Sequence, residues 1–136
     1  MIKFDQKLLG YISTFETITK TQVKDCFVNK NDQVVFIVKQ GQGSRAVGKK
    51  AINVKKVERL LQRKIKIIEF NENVAEFIKN AIYPLKSPEI IVEDDKVIIK
   101  TDTTYLKALL LGRDRANLKE LHNLVNKYFN VQIEIQ

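Results

Sequence analysis

The sequence predicts an α+β fold in which one unit of six elements occurs twice within 136 residues. Two observations carry this prediction. Helical and strand patterns follow one another in the order α-β-β-α-α-β, and the same order begins again near residue 72. The phrase AVGKKAINV also returns as LLGRDRANL after 64 positions, between the corresponding two helices of each copy. We therefore expect two domains, residues 1–71 and residues 72–136.

The first copy opens with an amphipathic helix and two strands. Four apolar side chains recur at helical spacing in the opening segment: Phe4, Leu8, Ile12 and Phe15. The runs VKDCFV and QVVFIVK have strand composition, and NKND between them has the Asn/Asp character of a hairpin turn. After the loop QGQGS, we expect Ser44 to cap a short helix that ends at Gly48.

The next helix is expected to span residues 52–63, with one apolar face and one basic face. The inward side chains are Val54, Val57, Leu60 and Leu61. The basic side chains opposite them are Lys55, Lys56, Arg59 and Arg63. The strand KIKIIEF then completes the first copy.

The second copy repeats these elements. NVAEFIKNAI predicts a helix with Val74, Phe77, Ile78 and Ile82 on one face, and Pro84 and Pro88 follow its end. EIIVE and KVIIKT predict strands around an Asp94-Asp95 turn. We expect a helix from about Thr104 to Leu111, a break at Gly112, a helix from Asn117 to Tyr128, and a last strand, VQIEI.

Basic charge is concentrated in the first half of the chain, whose net charge is +8 as a whole. Residues 1–70 contain 15 Lys or Arg against 6 Asp or Glu, whereas residues 71–136 contain 9 against 10. Residues 45–66 alone carry nine basic side chains and one acid, Glu58. Such a stretch predicts a polyanionic partner such as nucleic acid, although a solubilising lysine-rich face has the same composition.

Other patterns do not indicate an enzyme, a cofactor or a metal site. The segment GSRAVGKK nearly matches a phosphate-binding loop, but Lys50 stands where that loop needs a Ser or Thr for magnesium. We expect His122 to be a surface or packing residue and Cys26 to be buried in a strand. Without an apolar stretch of membrane-spanning length or a signal peptide, we expect a cytoplasmic protein with no contact to a membrane.

The repeated glycine phrase is typical of a clamp for a nucleic-acid backbone. A glycine between two helices lets a phosphate approach the main chain, and the second helix offers free N–H groups at its N-terminus. Lys49 or Arg113 beside the glycine adds charge. In the first copy, a groove for unstacked bases would be lined by Ala46, Val47 and Ile52. Gly48 and Gly112 would also serve simply to end helices, but their repetition in one context favours the clamp.

These phrases, AVGKKAINVKKVERLLQRKIKIIEF and LLGRDRANLKELHNLV, resemble the G-x-x-G cores of KH domains. The whole chain resembles the archaeal NusA-like transcription termination/antitermination proteins, a family built of two KH modules. The resemblance implies two tandem type II KH domains, each α-β-β-α-α-β with a three-stranded sheet packed by helices on one face. It also implies binding of single-stranded RNA and action with RNA polymerase in transcription elongation and termination.

The resemblance places the clamp loops at residues 48–51 and 112–115, and both lack the second glycine. Ala51 would be tolerated if the backbone there is helical, because Ala is favoured over Gly in a helix. Arg115 would either obstruct the backbone or reach a phosphate itself, and Asp114 would repel one. We therefore expect the first module to supply most of the RNA affinity. The expected RNA-binding residues are Arg45, Val47, Gly48, Lys49, Lys50, Ala51, Ile52, Lys55, Lys56, Arg59, Gly112, Arg113, Asp114 and Arg115.

Three functions stay open at this point. The first is a monomeric, non-enzymatic transcription factor whose partners are single-stranded RNA and RNA polymerase. The second is a protein-interaction adaptor that docks on RNA polymerase and has degenerate KH grooves, which Asp114 and Arg115 favour for the second module. The third is an RNA-binding factor in ribosome assembly, because type II KH modules also occur there.

Overall fold

The computed structural model describes residues 6–136, so the expected helical position Phe4 lies outside the described residues. The chain divides into two compact units, Met1–Phe70 and Asn71–Gln136. Each unit contains one three-stranded sheet with helices, in the order α-β-β-α-α-β, so the predicted α+β class is confirmed. Within residues 6–136, no helix combines the length and the apolar character needed to cross a membrane.

The sheet of the first unit has its second strand in the centre. The elements are α1 (Gln6–Thr19), β1 (Val23–Val28), β2 (Val34–Val38), α2 (Gly43–Val47), α3 (Ile52–Leu61) and β3 (Ile65–Glu69). β2 pairs antiparallel with β1 and parallel with β3. All five residues of β2 are buried, which agrees with the unbroken apolar run VVFIV.

The core of the first unit forms between this sheet and its helices. The ring of Phe15 on α1 stacks on Phe36 of β2, with centroids 4.1 Å apart and planes 15° from parallel. Cys26 is 2% exposed in the same cluster, as expected of a packing cysteine. The other buried members of the cluster are Val34, Val38, Ala46, Val57 and Ile65.

The second unit repeats this topology. Its elements are α4 (Val74–Ile82), β4 (Ile90–Glu93), β5 (Lys96–Ile99), α5 (Thr104–Leu111), α6 (Ala116–Val125) and β6 (Gln132–Ile135). β5 is central, antiparallel to β4 and parallel to β6. Asn73 caps α4 because its side chain accepts hydrogen bonds from the N–H groups of Ala75 and Glu76. Phe77 of α4 is fully buried and meets Tyr128 edge-on.

Two predictions about the first unit are wrong. Ser44 does not cap α2, because the helix already begins at Gly43, whose N–H donates to the Glu69 carboxylate at 2.8 Å. Leu60 does not point inward and is 64% exposed. At 3.6 residues per turn, Leu60 lies about 110° away from the direction that Val54 and Leu61 share, so its side chain clears the core.

One helix of the second unit is shorter than predicted. α6 ends at Val125 and does not reach Tyr128. The Asn126 side-chain amide donates to the main-chain oxygens of both His122 and Val131, each at 2.9 Å. These bonds turn the chain towards β6, and they depend on a contact that helical periodicity does not contain.

Candidate nucleic-acid interface

The glycines that open the two loops have nearly the same backbone conformation. Gly48 has φ 79° and ψ 167°, and Gly112 has φ 72° and ψ 173°. This region of backbone space is essentially restricted to glycine. The N–H of each glycine donates to the fourth residue before it, Ser44 or Ala108, at 2.9 Å, so each glycine also ends a helix.

The third and fourth loop positions are left-handed in both units. In the first loop, Lys50 has φ 53° and Ala51 has φ 58°. In the second loop, Asp114 has φ 55° and Arg115 has φ 61°. A helical backbone was the condition under which Ala51 would be tolerated in place of glycine, and that condition is not met. The chain there has the left-handed conformation that favours glycine, which a residue with a Cβ adopts at a cost of about 1–2 kcal/mol.

An asparagine closes each loop, a role that sequence reasoning missed. The Asn53 side-chain amide donates to the main-chain oxygen of Arg45 at 2.9 Å, and Asn117 donates to Leu109 at 2.7 Å. A Cβ added to Gly48 would lie 3.0 Å from the Asn53 amide. The recurrence of Asn at a fixed distance after Gly was the sequence signal for this contact.

The helix that follows each loop starts without a side-chain cap. α3 begins after Ala51 and α6 after Arg115, and neither of these described residues makes a capping side-chain bond. The N–H of Ile52 donates to the main-chain oxygen of Lys49. The next N–H groups have no partner within α3, because the residue four positions earlier lies before the helix begins. The partial positive charge of the helix N-terminus thus faces the loop, where an anion is stabilised.

The first loop borders a groove of about 400 Å³ lined by Lys49, Lys50, Ile52 and Lys55. Ile52 is 48% exposed, so the groove presents an apolar surface beside three cations. Ala46 is fully buried in the core and does not line this groove, contrary to the expectation. Of the remaining predicted residues in this unit, Val47 is half-buried, whereas Arg45, Lys56 and Arg59 are exposed.

The first loop and the helices on either side of it carry six exposed basic side chains. Across residues 6–136, no salt bridge involves the six exposed cations Arg45, Lys49, Lys50, Lys55, Lys56 and Arg59. Glu58, the one acid of this stretch, accepts a hydrogen bond from the N–H of Ile65 at 3.0 Å. This stretch therefore retains the field that attracts a polyanion.

Arg63 does not belong to this open basic surface, although its position on the predicted basic face placed it there. Its guanidinium donates to the Asp32 carboxylate at 2.7 Å and is only 22% exposed. A hydrogen bond with Tyr11 is the main cause that raises the pKa of Arg63, and the charge of Asp32 raises it further. Arg63 thus connects α3 to α1 and to the β1–β2 turn.

The second loop has the same backbone but different side chains. Arg113, Asp114 and Arg115 are all exposed. Asp114 occupies the position of Lys50, and Ala116 occupies that of the exposed Ile52. The second loop therefore presents less net positive charge and a smaller apolar side chain than the first.

Several known archaeal proteins have similar sequences. The probable transcription termination protein NusA of Methanococcus vannielii is 28% identical, over 96% of this chain and 77% of its own length. The protein of the same name from Methanocaldococcus jannaschii is 29% identical, over 88% of this chain and 67% of its own length. The similarity to NusA-like proteins inferred from the glycine phrases is therefore confirmed.

The fold and the family also have counterparts among known proteins. The crystal structure of APE1850 superimposes with a TM-score of 0.71, covering 98% of this chain and 100% of that protein at 24% identity. The family model described as KH domain matches residues 10–79, which include the whole first loop. Because this match spans just over half of the 136 residues, the chain belongs to the KH domain family.

Proposed function

We propose that this chain is a non-enzymatic, single-stranded RNA-binding factor that acts in the cytoplasm on transcription elongation and termination. The observation that carries the proposal is the first loop, where a glycine-only backbone adjoins a groove lined by three lysines and one exposed isoleucine. The KH family and the names of the archaeal relatives support RNA as the ligand and transcription as the setting.

The first loop suits a single strand because it offers separate surfaces for phosphates and bases. The absence of a side chain at Gly48 lets a phosphate approach the main chain, and the next two residues, Lys49 and Lys50, add positive charge. Ile52 and the stem of Lys55 supply apolar surface against which an unstacked base packs. A duplex keeps its bases stacked inside and offers none of them to such a groove.

We further propose that the second unit is also a type II KH domain, and that the first unit supplies most of the RNA affinity. The shared element order, strand order and loop backbone support the first statement. The charge supports the second, since residues 1–70 carry 15 basic and 6 acidic side chains and residues 71–136 carry 9 and 10. Counterion release makes this difference decisive for a phosphate backbone.

Charge reversal in each loop tests the proposal. The double variant Lys49→Asp and Lys50→Asp should raise the Kd for a single-stranded RNA by more than about tenfold, because two phosphate contacts become repulsive. The single variants Lys49→Asp and Arg113→Asp, at corresponding positions of the two loops, form the matched pair, and Arg113→Asp should have the smaller effect. Fluorescence anisotropy with a labelled oligonucleotide measures the Kd of each variant. Equal losses at the two loops would contradict the asymmetric assignment.

Salt dependence gives a second test. If about four phosphates are neutralised, the slope of log K against log salt concentration should be roughly −3 for a single strand. The same titration on the variant with Asp at positions 49 and 50 should give a shallower slope. A binding constant that does not change with salt would exclude the proposed clamp.

A protein-interaction adaptor is the second candidate, and Asp114 in the second loop favours it for that unit. Crosslinking followed by sequencing of bound RNA, with identification of co-purified proteins, separates the candidates. Nascent transcripts together with polymerase subunits support the proposed function. Ribosomal RNA precursors with ribosomal proteins would instead indicate ribosome assembly, and polymerase subunits without RNA would indicate the adaptor.

A further inference from the structure

We propose that Asn53 and Asn117 are positioning residues that hold the two loops in their left-handed conformation, and thus compensate for the missing second glycine. The asparagines hold the loop backbone whether or not a ligand is bound. The consequence of this role for RNA affinity rests on the function proposed above. Such a role accounts for the left-handed backbone at Ala51 and Arg115, a conformation that glycine adopts most easily.

A hydrogen bond between the two flanking helices closes the first loop. The Asn53 amide donates to the Arg45 oxygen, eight residues earlier, so the end of α2 and the start of α3 are tied together. The same amide lies 3.0 Å from the position that a Cβ of Gly48 would take. Residues 48–51 must therefore reverse the chain between two fixed ends, and the left-handed pair Lys50 and Ala51 makes that reversal.

The two loops have different side chains at their left-handed positions. The third position is Lys50 in one and Asp114 in the other, and the fourth is Ala51 in one and Arg115 in the other. Despite these differences, corresponding φ angles agree within a few degrees, at 53° and 55° and at 58° and 61°. The variable side chains therefore do not set the conformation.

What the two loops share is the glycine that opens them and the asparagine that closes them. Asn117 donates to Leu109, also eight residues earlier, at 2.7 Å, and its side chain and main-chain N crowd the Cβ position of Gly112. Asp tolerates left-handed backbone through local hydrogen bonds, but Lys, Ala and Arg have no such means. The two loops also share a main-chain bond, from the N–H of Ala51 or Arg115 to the oxygen of the opening glycine, at 3.1 Å and 3.2 Å. The asparagine bond is the side-chain contact common to both loops that is able to offset the cost at those residues.

A loop held in this way has its final shape before a ligand arrives. Preorganisation raises affinity by reducing the entropy lost on binding, without adding a contact. Removal of the Asn53 amide should therefore weaken RNA binding while the number of phosphates contacted stays the same. Loss of a lysine that contacts a phosphate should instead change that number.

The backbone is tested first, in the full chain without RNA. In Asn53→Ala, the three-bond coupling between the amide and α protons should show that Ala51 leaves positive φ. Adding Ala51→Gly to that variant should restore the left-handed loop, because glycine needs no closure to adopt it. Asn117→Ala with Arg115→Gly is the matched pair in the second loop. Unchanged couplings in both asparagine variants would overturn the proposal.

The folding and stability of the variants provide a second measurement, which applies even if Asn53→Ala does not fold. If Asn53→Ala fails to fold, recovery of the fold by Ala51→Gly in the same chain supports the proposal, and failure to recover it contradicts the proposal. Ala51→Gly should also stabilise the Asn53→Ala chain more than it stabilises the wild-type chain. Equal effects in the two backgrounds would mean that the asparagine does not act on this residue.

RNA binding is tested last, with a labelled single-stranded 12-mer of uridine as the probe. Asn53→Ala should raise the Kd by about tenfold with an unchanged salt slope, and Ala51→Gly should reverse that rise. Lys49→Ala is the control and should make the slope shallower by about 0.7. An unchanged Kd in Asn53→Ala would refute the positioning role in RNA binding. If the wild-type chain itself does not bind, the proposed function fails while the couplings still decide the backbone role.

Discussion

At the residue scale, the loop glycines should be irreplaceable for two separable reasons. Both have φ and ψ values essentially restricted to glycine, which we expect to cost Gly48→Ala about 1–3 kcal/mol of unfolding free energy. Gly112→Ala should cost more. An added Cβ would lie 2.9 Å from the main-chain N of Asn117, which cannot rotate away, whereas the three atoms nearest to a Cβ at Gly48 all belong to side chains. Urea denaturation of the two variants measures the difference.

The control for this prediction is a glycine of a different kind. Gly10 lies within α1 and a Cβ there would meet no atom within 4 Å. Gly10→Ala should therefore raise the free energy of unfolding by up to about 1 kcal/mol through helix propensity. If all three substitutions destabilised the chain equally, the special role of the loop glycines would be refuted.

Single residues also show where sequence reasoning succeeds. Both glycine breaks were predicted, because a basic phrase repeated after 64 positions is visible in the sequence. The left-handed backbone at Ala51 was not, because alanine favours a right-handed helix more than any other residue. Closure of the loop by an amide from the next helix overrides that preference, and propensity contains no such contact.

At the element scale, the pairing of β5 with β6 should depend on pH through one ion pair. Lys96 Nζ lies 2.6 Å from Glu134 Oε2. The Lys96 hydrogen bond, followed by one from Gln136, lowers the pKa of Glu134 below its ordinary value of 4.5. The hydrogen bond with Glu134 likewise raises the pKa of Lys96 above 10.5. The ion pair therefore stabilises the fold at pH values between the two ordinary pKa values, 4.5 and 10.5.

The direction of the pH effect follows from these shifts. Because the pKa of Glu134 is lowered, the stabilisation is lost as the pH falls through the folded-state pKa of Glu134. Because the pKa of Lys96 is raised, the stabilisation is also lost as the pH rises through the folded-state pKa of Lys96. Carboxyl carbon NMR titration should show the pKa of Glu134 returning towards its ordinary value in Lys96→Met. Lys86→Met, at an exposed residue without a salt bridge among the described residues, should leave it unchanged.

The ends of helices and strands were predictable where residues next to those ends determine them. VKDCFV forms β1 as predicted, and α5 begins and ends at Thr104 and Leu111 as predicted, where Thr103 and Gly112 supply the cap and the break. The end of α6 was not predictable in this way. It depends on hydrogen bonds from Asn126 that reach Val131, beyond the helix itself.

At the scale of the whole molecule, the chain combines one architecture with two distributions of charge. The strand orders are the same, and the loop angles nearly so, in the two units. The groove residues Lys50 and Ile52 have Asp114 and Ala116 as their counterparts. The duplication of the fold was therefore visible in the sequence as a repeat. The proposed difference in RNA affinity between the two units comes from side chains that differ between the two copies of the repeat.

If side chains alone cause this difference, the activity should be transferable between the loops. The triple variant Asp114→Lys, Arg115→Ala and Ala116→Ile gives the second loop the residues of the first at positions 50–52. The backbone should accept them, because both loops already hold unlike residues at nearly the same angles. Because Asp114→Lys adds two positive charges and Arg115→Ala removes one, about one additional phosphate should be neutralised, and the salt slope of RNA binding should steepen by roughly 0.7. The reverse exchange, Lys50→Asp, Ala51→Arg and Ile52→Ala, should make it shallower, and unchanged slopes in both variants would show that the loop residues do not decide which unit binds RNA.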